Sequence, residues 1–128
     1  METIKIAKAI IRYNNQFFIL QSQSALKKWK FFDAVISEEQ NDTATLAKAL
    51  KNEFDILQNI GKLFCEISYY EMGKQYIVKS YFVNIFEQEI AEKLEKYGKF
   101  LLISELKTLK FENIDKVIFQ KIVDSNKQ

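Results

Sequence analysis

Two pairs of apolar-polar alternating runs lie along the chain, and each pair has the pattern of a β-hairpin. The first pair is Ile4–Arg12 and Gln16–Gln21, separated by a Tyr-Asn-Asn segment in which asparagine can adopt the positive φ of a tight turn. The second pair is Leu63–Glu71 and Gln75–Phe86, and Gly73 lies between the two runs. We therefore expect four strands in two hairpins, one near the start of the chain and one after its midpoint.

Helical periodicity replaces this alternation in three places. Asp42–Leu57 predicts an amphipathic helix, with Asp42 accepting hydrogen bonds from the first turn. Asn113–Val123 predicts a second amphipathic helix, and the polar segment Glu87–Tyr97 has a weaker helical period. At 100° per residue, the apolar face of the first helix should face the core and consists of Leu46, Ala47, Leu50, Phe54 and Leu57.

Two short apolar segments, Trp29–Phe32 and Phe100–Ile103, complete the pattern as additional strands. The predicted element order is β-β-(β)-α-β-β-(α)-β-α. Helices and strands in this order favour an α/β fold in which a mixed sheet lies between helices on both faces. A chain of 128 residues with 48% hydrophobic residues can bury one core, so we expect a single domain over residues 1–128.

Composition then excludes several classes of function. The chain has no histidine and one cysteine, Cys65, which excludes zinc sites and histidine-dependent nucleophilic catalysis within one chain. Its 19 basic and 17 acidic residues nearly cancel, so net charge indicates neither a nucleic acid nor a membrane partner. No apolar run reaches the roughly 18 residues of a membrane span, and the alternating N-terminus is unlike a signal peptide. We expect a cytoplasmic protein.

The segment DAVISEEQNDTATLAKALKNEFDI resembles the box of the Nudix hydrolases, G-x5-E-x7-R-E-U-x-E-E-x-G-U, in which U is a bulky apolar residue. Aligned without a gap, three positions fit, namely Leu50, Glu53 and Ile56, and Lys48 keeps the charge of the box arginine. The other positions differ and are occupied by Ala34, Gln40, Ala49, Asn52 and Asp55. The order of strands and helices around the box is also similar to that of the family, so the resemblance implies a Nudix-like α/β/α sandwich over almost the whole chain.

That resemblance implies a Mg²⁺- or Mn²⁺-dependent hydrolase of nucleoside diphosphate derivatives, but most of the metal-binding carboxylates are missing. Hard divalent cations need several oxygen ligands, and carboxylates supply the balancing charge. Here the helix retains only Glu53 as a candidate metal ligand and residual catalytic residue. Lys48, a point charge, replaces an arginine that can hold glutamate bidentately. We therefore expect weak or absent hydrolysis, with a retained role in nucleotide binding or protein interaction.

An alternative is an active Mg²⁺-dependent hydrolase in which other carboxylates join Glu53. Glu38 and Glu39, in the loop before the helix, are candidate metal ligands of this kind, and so are Glu92 and Glu95 further along the chain. Equally, the loop glutamates can be a solvated charge pair, and the later two can belong to an exposed helix face. Glu53 itself can be a surface residue of the helix, paired with a neighbouring lysine.

The aromatic residues near the box suggest where a nucleotide could bind. Trp29 and Phe32 are the candidate contacts, since an exposed ring can stack on a base. Lysines flank the tryptophan in the sequence KKWK, but we favour an anchor at a strand edge over nucleic acid binding. A further alternative is a structural role, with a homodimer formed through a sheet edge or the second hairpin.

Overall fold

A computed structural model describes residues 1–24 and 26–126 and contains one mixed sheet with helices on both sides. Its strands are β1 (Glu2–Tyr13), β2 (Gln16–Gln21), β3 (Trp29–Lys30), β4 (Phe32–Ile36), β5 (Leu63–Glu71), β6 (Lys74–Asn84) and β7 (Lys99–Leu101). Its helices are α1 (Asp42–Phe54), α2 (Gln88–Glu95), α3 (Ile103–Leu106) and α4 (Asn113–Ser125). Within the described residues, no helix is long and apolar enough to cross a membrane.

The long strand β1 is the centre of the sheet. Eleven of its twelve residues, from Glu2 to Arg12, pair in parallel with β6, while β2 and β4 pair antiparallel with its opposite edge. Strand β5 pairs with the far side of β6, and β7 pairs with β2. One parallel pair within an otherwise antiparallel arrangement makes the sheet mixed, as the sequence predicts.

The two faces of the sheet bury different cores. Because side chains alternate along a strand, Ala7, Ala9 and Ile11 of β1 contribute to the core that includes residues of α1 and α2. Ile10 lies in the opposite core, with residues of α3 and α4. The predicted fold, a mixed sheet between helices, is therefore confirmed.

Both hairpin turns have the predicted backbone conformation. Asn14 and Asn15 have φ angles of 49° and 63°, and Met72 and Gly73 have φ angles of 51° and 77°. Two consecutive positive φ values let a two-residue turn follow the right-handed twist of its strands. Asparagine and glycine adopt this region at low cost, which is why the sequence indicates both turns.

Helix α1 begins at Asp42 as predicted, but its capping residue and its C-terminal end differ from the prediction. The N-cap is Asn41, whose Oδ1 accepts a hydrogen bond from the amide of Ala44 at 3.0 Å, so the choice of Asp42 as the cap is wrong by one residue. The helix ends at Phe54, and Leu57, expected in the core, lies beyond the helix with 76% of its surface exposed. In addition, Trp29–Phe32 forms two strands rather than one.

Candidate functional site

The loop and helix that carry the degenerate box are fixed by local polar contacts. Gln40, at the first box glutamate position, accepts hydrogen bonds through Oε1 from the amide of Ser37 at 3.3 Å and from Thr45 Oγ1 at 3.4 Å. Asp42 Oδ2 accepts a hydrogen bond from the hydroxyl of Tyr81 at 3.2 Å and lies 3.4 Å from Lys79 Nζ. The start of α1 is thus tied to its own loop and to β6 by side chains that are already paired.

The end of α1 has a left-handed backbone at Asp55, the residue aligned with the second box glycine. Asp55 has φ 57° and ψ 44°, the left-handed conformation that glycine adopts most easily, and its amide bonds to the carbonyl of Lys51 at 2.9 Å. The Asp55 carboxylate pairs with Lys51 and with Lys93 of α2, whose Nζ also bonds the Asp55 carbonyl at 3.0 Å. Hydrogen bonding to Lys51, and then the charges of both lysines, lower the pKa of Asp55. Two positively charged side chains, those of Lys51 and Lys93, therefore lie at this end of the helix.

Glu53 and the other predicted metal ligands belong to no group of three or more potential metal ligands among the described residues. Glu53, Lys48, Glu38 and Glu39 are all exposed, and in the described part of the chain none of their side chains makes a hydrogen bond or ion pair. Ala49, in place of a box glutamate, packs against the core. No group of three or more Asp, Glu, Cys or His side chains among residues 1–24 and 26–126 could hold a metal ion. A divalent cation needs several oxygen ligands, so binding by Glu53, Glu38 and Glu39 stays a prediction.

Charged side chains do converge at a place that the sequence does not indicate. Lys8 of β1 is 2% exposed, and its Nζ lies 2.8 Å from Asp33 Oδ2 and 2.9 Å from Asp115 Oδ1. Asp115 also accepts a hydrogen bond from the amide of Phe31 at 2.8 Å, and Lys30 Nζ lies 3.1 Å from Asp33 Oδ2. The cluster joins β1, β4 and the first turn of α4 on the sheet face opposite α1.

The pKa values of the three groups in this cluster are set by burial and by their mutual attraction. Burial lowers the pKa of Lys8, but Asp115 and Asp33 raise it by more, so the ammonium stays charged. Burial raises the pKa of Asp33, and the charges of Lys8 and Lys30 outweigh this effect and lower it. For Asp115, which is 1% exposed, burial raises the pKa by more than Lys8 and the Phe31 amide lower it. Since all three groups are paired, the cluster is suited to holding the sheet and α4 together rather than to transferring protons.

Of the two aromatic candidates, Trp29 is the more accessible. Its backbone amide bonds the carbonyl of Lys110 at 2.9 Å, and its carbonyl accepts the amide of Glu112 at 2.9 Å, so β3 anchors the segment that leads into α4. Its half-buried ring lies 5.5 Å from Lys99 Nζ. Phe32 is 8% exposed and packs edge-on against Phe54 at 4.9 Å. Contact of either ring with a nucleotide stays a prediction, and Phe32 would have little surface to offer.

A concave pocket of about 430 Å³ lies between the end of β5 and the start of α4. Its walls combine apolar and aromatic groups with a few polar ones, and they include Tyr69, Tyr70, Glu71, Asn113, Ile114 and Val117. Tyr69 stacks on Tyr76, with ring centroids 4.9 Å apart, and burial, followed by the nearby charge of Glu71, raises the pKa of its hydroxyl. We call this concavity the tyrosine pocket; sequence patterns give no signal for it because its two walls are far apart in the chain.

Comparison with solved structures identifies the fold. The structure superposes on the E. coli ORF135 protein with a TM-score of 0.79 and 15% sequence identity, covering 97% of this chain and 91% of that one. It superposes on the MutT protein of Staphylococcus aureus, a Nudix hydrolase, with a TM-score of 0.74 and 18% identity over 98% and 99% of the two chains. The C. elegans Ap4A hydrolase gives a TM-score of 0.71 and 16% identity over 97% and 98%.

No protein-family model matches the sequence, and a comparison with curated proteins gives no match. At such low identities the likeness concerns the fold. The chain therefore has the fold of the Nudix hydrolases, as the sequence predicts.

Proposed function

We propose that this Nudix-fold protein binds a nucleotide without hydrolysing it. The observation that carries the proposal concerns Glu53: its side chain is exposed, unpaired within the described residues, and belongs to no group of three or more potential metal ligands there. Mg²⁺ and Mn²⁺ bind poorly to a single surface carboxylate, because hard cations need several oxygen ligands. Without the ion, the diphosphate is not neutralised and no water is activated.

The residues at the other box positions also disfavour the binding of a divalent cation. Ala49 offers no ligand atom, and Gln40 uses its oxygen within the loop, 3.3 Å from the Ser37 amide. The lysines paired with Asp55 add positive charge at the end of α1. The active alternative, in which Glu38 and Glu39 join Glu53, would require these exposed side chains to converge with it.

The tyrosine pocket supports the binding part of the proposal. Aromatic and aliphatic walls with a few polar groups are typical of small-molecule sites, and tyrosine and asparagine side chains can stack on and hydrogen-bond to a nucleobase. Glu71 and Glu112 also line the pocket, and Glu112 Oε1 is held at 2.7 Å by the hydroxyl of Ser22. Two carboxylates repel phosphate, so the pocket takes the base or nucleoside end of the ligand and leaves the phosphates towards solvent.

Hydrolysis and binding are tested separately. The first assay incubates the full chain with nucleoside triphosphates, ADP-ribose and dinucleoside polyphosphates in Mg²⁺ or Mn²⁺, and we expect no product above that of a Glu53→Gln variant. Turnover that disappears in Glu53→Gln would overturn the non-catalytic part of the proposal and favour the active alternative.

The second assay measures the rise in melting temperature with the same compounds, since a ligand that binds only the folded state stabilises it. Val117 lines the tyrosine pocket and is 44% exposed, so Val117→Glu places a carboxylate in the pocket without disturbing the core. We expect this variant to lose the ligand-induced rise. Lys121→Gln, an exposed change on the same helix outside the pocket, should retain it. No rise with any of the compounds contradicts nucleotide binding.

A further inference from the structure

A second concavity lies on the other side of α4 and is lined by lysines. This groove of about 560 Å³ runs between α4 and the segment that connects α3 to it. Its lysines come from three parts of the chain: Lys28 precedes β3, Lys107 and Lys110 lie in the connecting segment, and Lys116 is on α4. We call it the basic groove.

The charge of the basic groove is uncompensated. No acidic residue lines it, and none of its four lysines forms an ion pair in the part of the chain that the structure describes. Glu112 lies between Lys110 and Lys116 in the sequence and could neutralise them. Its carboxylate is instead held by the hydroxyls of Ser22 and Ser24, at 2.7 and 3.3 Å. The groove is therefore lined by four lysines that have no carboxylate partner among the described residues.

The floor of the basic groove is apolar and mostly aliphatic at its accessible surface. Leu109 and Val123 are half-buried and can be reached from solvent, whereas Phe111 and Phe119 are only 6% and 8% exposed. The two phenylalanine rings stack on each other, with centroids 5.2 Å apart. Neither ring has a free face on which a base could stack, so the groove lacks the aromatic platform typical of single-stranded nucleic acid sites.

We infer that the basic groove binds an acidic, amphipathic peptide segment of a partner protein. Carboxylates of such a segment would pair with the lysines at the rim, and one or two of its apolar side chains would cover Leu109 and Val123. An amphipathic helix laid into an apolar groove is a common mode of peptide recognition, and complementary charges select and orient the partner. This inference is independent of nucleotide binding, because its lysines lie outside the tyrosine pocket and act on a different class of ligand.

The test uses a defined probe in place of the unknown partner. A synthetic 15-residue peptide carries leucines at helical spacing on one face and glutamates on the others, and a second peptide has the same composition with the leucines scrambled. Binding to the ¹⁵N-labelled full chain is followed by amide chemical shifts. We expect saturable shifts at groove residues with the amphipathic peptide, binding at least tenfold weaker with the scrambled one, and weakening as salt rises.

Matched variants distinguish binding in the basic groove from a general effect of the protein's positive charge. Lys110→Glu/Lys116→Glu should weaken binding of the amphipathic peptide at least tenfold. Lys62→Glu/Lys96→Glu changes net charge equally at exposed positions outside the groove and should have less than a threefold effect. Leu109→Gln alters the floor without changing charge, and we expect a three- to tenfold loss. Circular dichroism and the melting temperature report whether each variant is folded.

Three results would overturn the inference. One is equal binding of the two peptides, and another is an equal effect of the groove and control variants. The third comes from competing ligands: tighter, groove-dependent binding of a 20-nucleotide oligothymidylate would indicate a nucleic acid site. Tighter binding of vesicles containing one-fifth phosphatidylserine would likewise indicate a membrane surface.

Discussion

Replacement of Lys8 by methionine should destabilise this protein more than most single substitutions. Methionine is similar in length, so packing around β1 changes little, but the ammonium that joins Asp33 and Asp115 is lost. Asp33 keeps Lys30 at 3.1 Å and is partly solvated. Asp115 is 1% exposed and, among the described residues, keeps the Phe31 amide as its hydrogen-bond donor, at 2.8 Å. The variant thus leaves one buried carboxylate without a counter-charge.

The size of the effect follows from that unpaired carboxylate. Breaking a buried ion pair by removing one partner costs about 3–5 kcal/mol, because the remaining charge is left in a poorly solvating environment. A typical domain has about 5–15 kcal/mol of stability, so the variant would lose a large share of it. With a urea dependence of about 1.5 kcal/mol per molar, the unfolding midpoint should fall by about 2–3 M.

The loss should also depend on pH, with a defined sign. Burial already raises the pKa of Asp115 above its ordinary value, and removal of Lys8 should raise it further. A carboxyl group with a higher pKa in the folded state binds more protons there, so its contribution to stability falls as pH rises above the unfolded pKa of about 3.9. The deficit of Lys8→Met should therefore be smaller at pH 5 than at pH 7.

In the unmodified protein, Lys8 makes a contribution to stability that is lost at high pH. Its pKa is raised in the folded state, so its stabilising contribution is complete below the unfolded value near 10.5 and is lost as pH rises through the folded value. Only the unmodified protein should show this alkaline loss.

Urea unfolding at pH 5 and pH 7 tests these expectations, and Lys8→Met/Asp115→Asn is the matched control. The double variant removes the buried charge together with its partner, and replacement of a buried ion pair by neutral groups is often nearly neutral. It should regain most of the lost stability at pH 7. A loss below about 1 kcal/mol for Lys8→Met, or no recovery in the double variant, would refute the reasoning.

Other substitutions probe the core and the box. Phe54→Ala removes a ring that is 3% exposed at the end of α1, and thermal or urea unfolding should show a loss of about 3–5 kcal/mol. In Gly98→Ala the new Cβ would lie 2.2 Å from the carbonyl oxygen of Ile19, so we expect a loss of about 1–3 kcal/mol, and an unchanged stability would contradict the backbone path. Asp55→Gly restores the box residue at a φ of 57° and should raise the melting temperature, whereas Asp55→Val should lower it.

The strands can be predicted from the sequence because apolar-polar alternation and turn residues are visible within a few consecutive positions. The strands Gln16–Gln21 and Leu63–Glu71 lie at the predicted residues, and both hairpin turns follow from asparagine and glycine. The end of α1 was harder to place, since its apolar spacing continues to Leu57 although the backbone turns left-handed at Asp55. The four-residue helix α3 is too short for its period to be visible in the sequence.

The site was less predictable than the fold. The box register indicates the positions where carboxylates are missing, and in the structure Glu53 is exposed and belongs to no group of three or more potential metal ligands among the described residues. The Lys8 cluster could not be predicted, because a lysine within an alternating strand is normally solvent-facing. Lys8 is buried here because it pairs with Asp115, which lies on a helix 107 positions later in the chain. Likewise, the tyrosine pocket and the basic groove each combine segments that are distant in the chain.

The parallel pairing of β1 with β6 has a consequence for the order of folding. Glu2 pairs with Lys74 and Arg12 with Asn84, so the central strand cannot complete its longer edge until most of the chain exists. Closing such a long loop is entropically costly, and sheets built on distant pairings fold slowly. During synthesis, β1 should therefore remain unpaired along one edge until the second hairpin, which consists of β5 and β6, has formed. Amide hydrogen exchange on chains truncated before Lys74 should find β1 poorly protected, because the strand that pairs with its longer edge is missing.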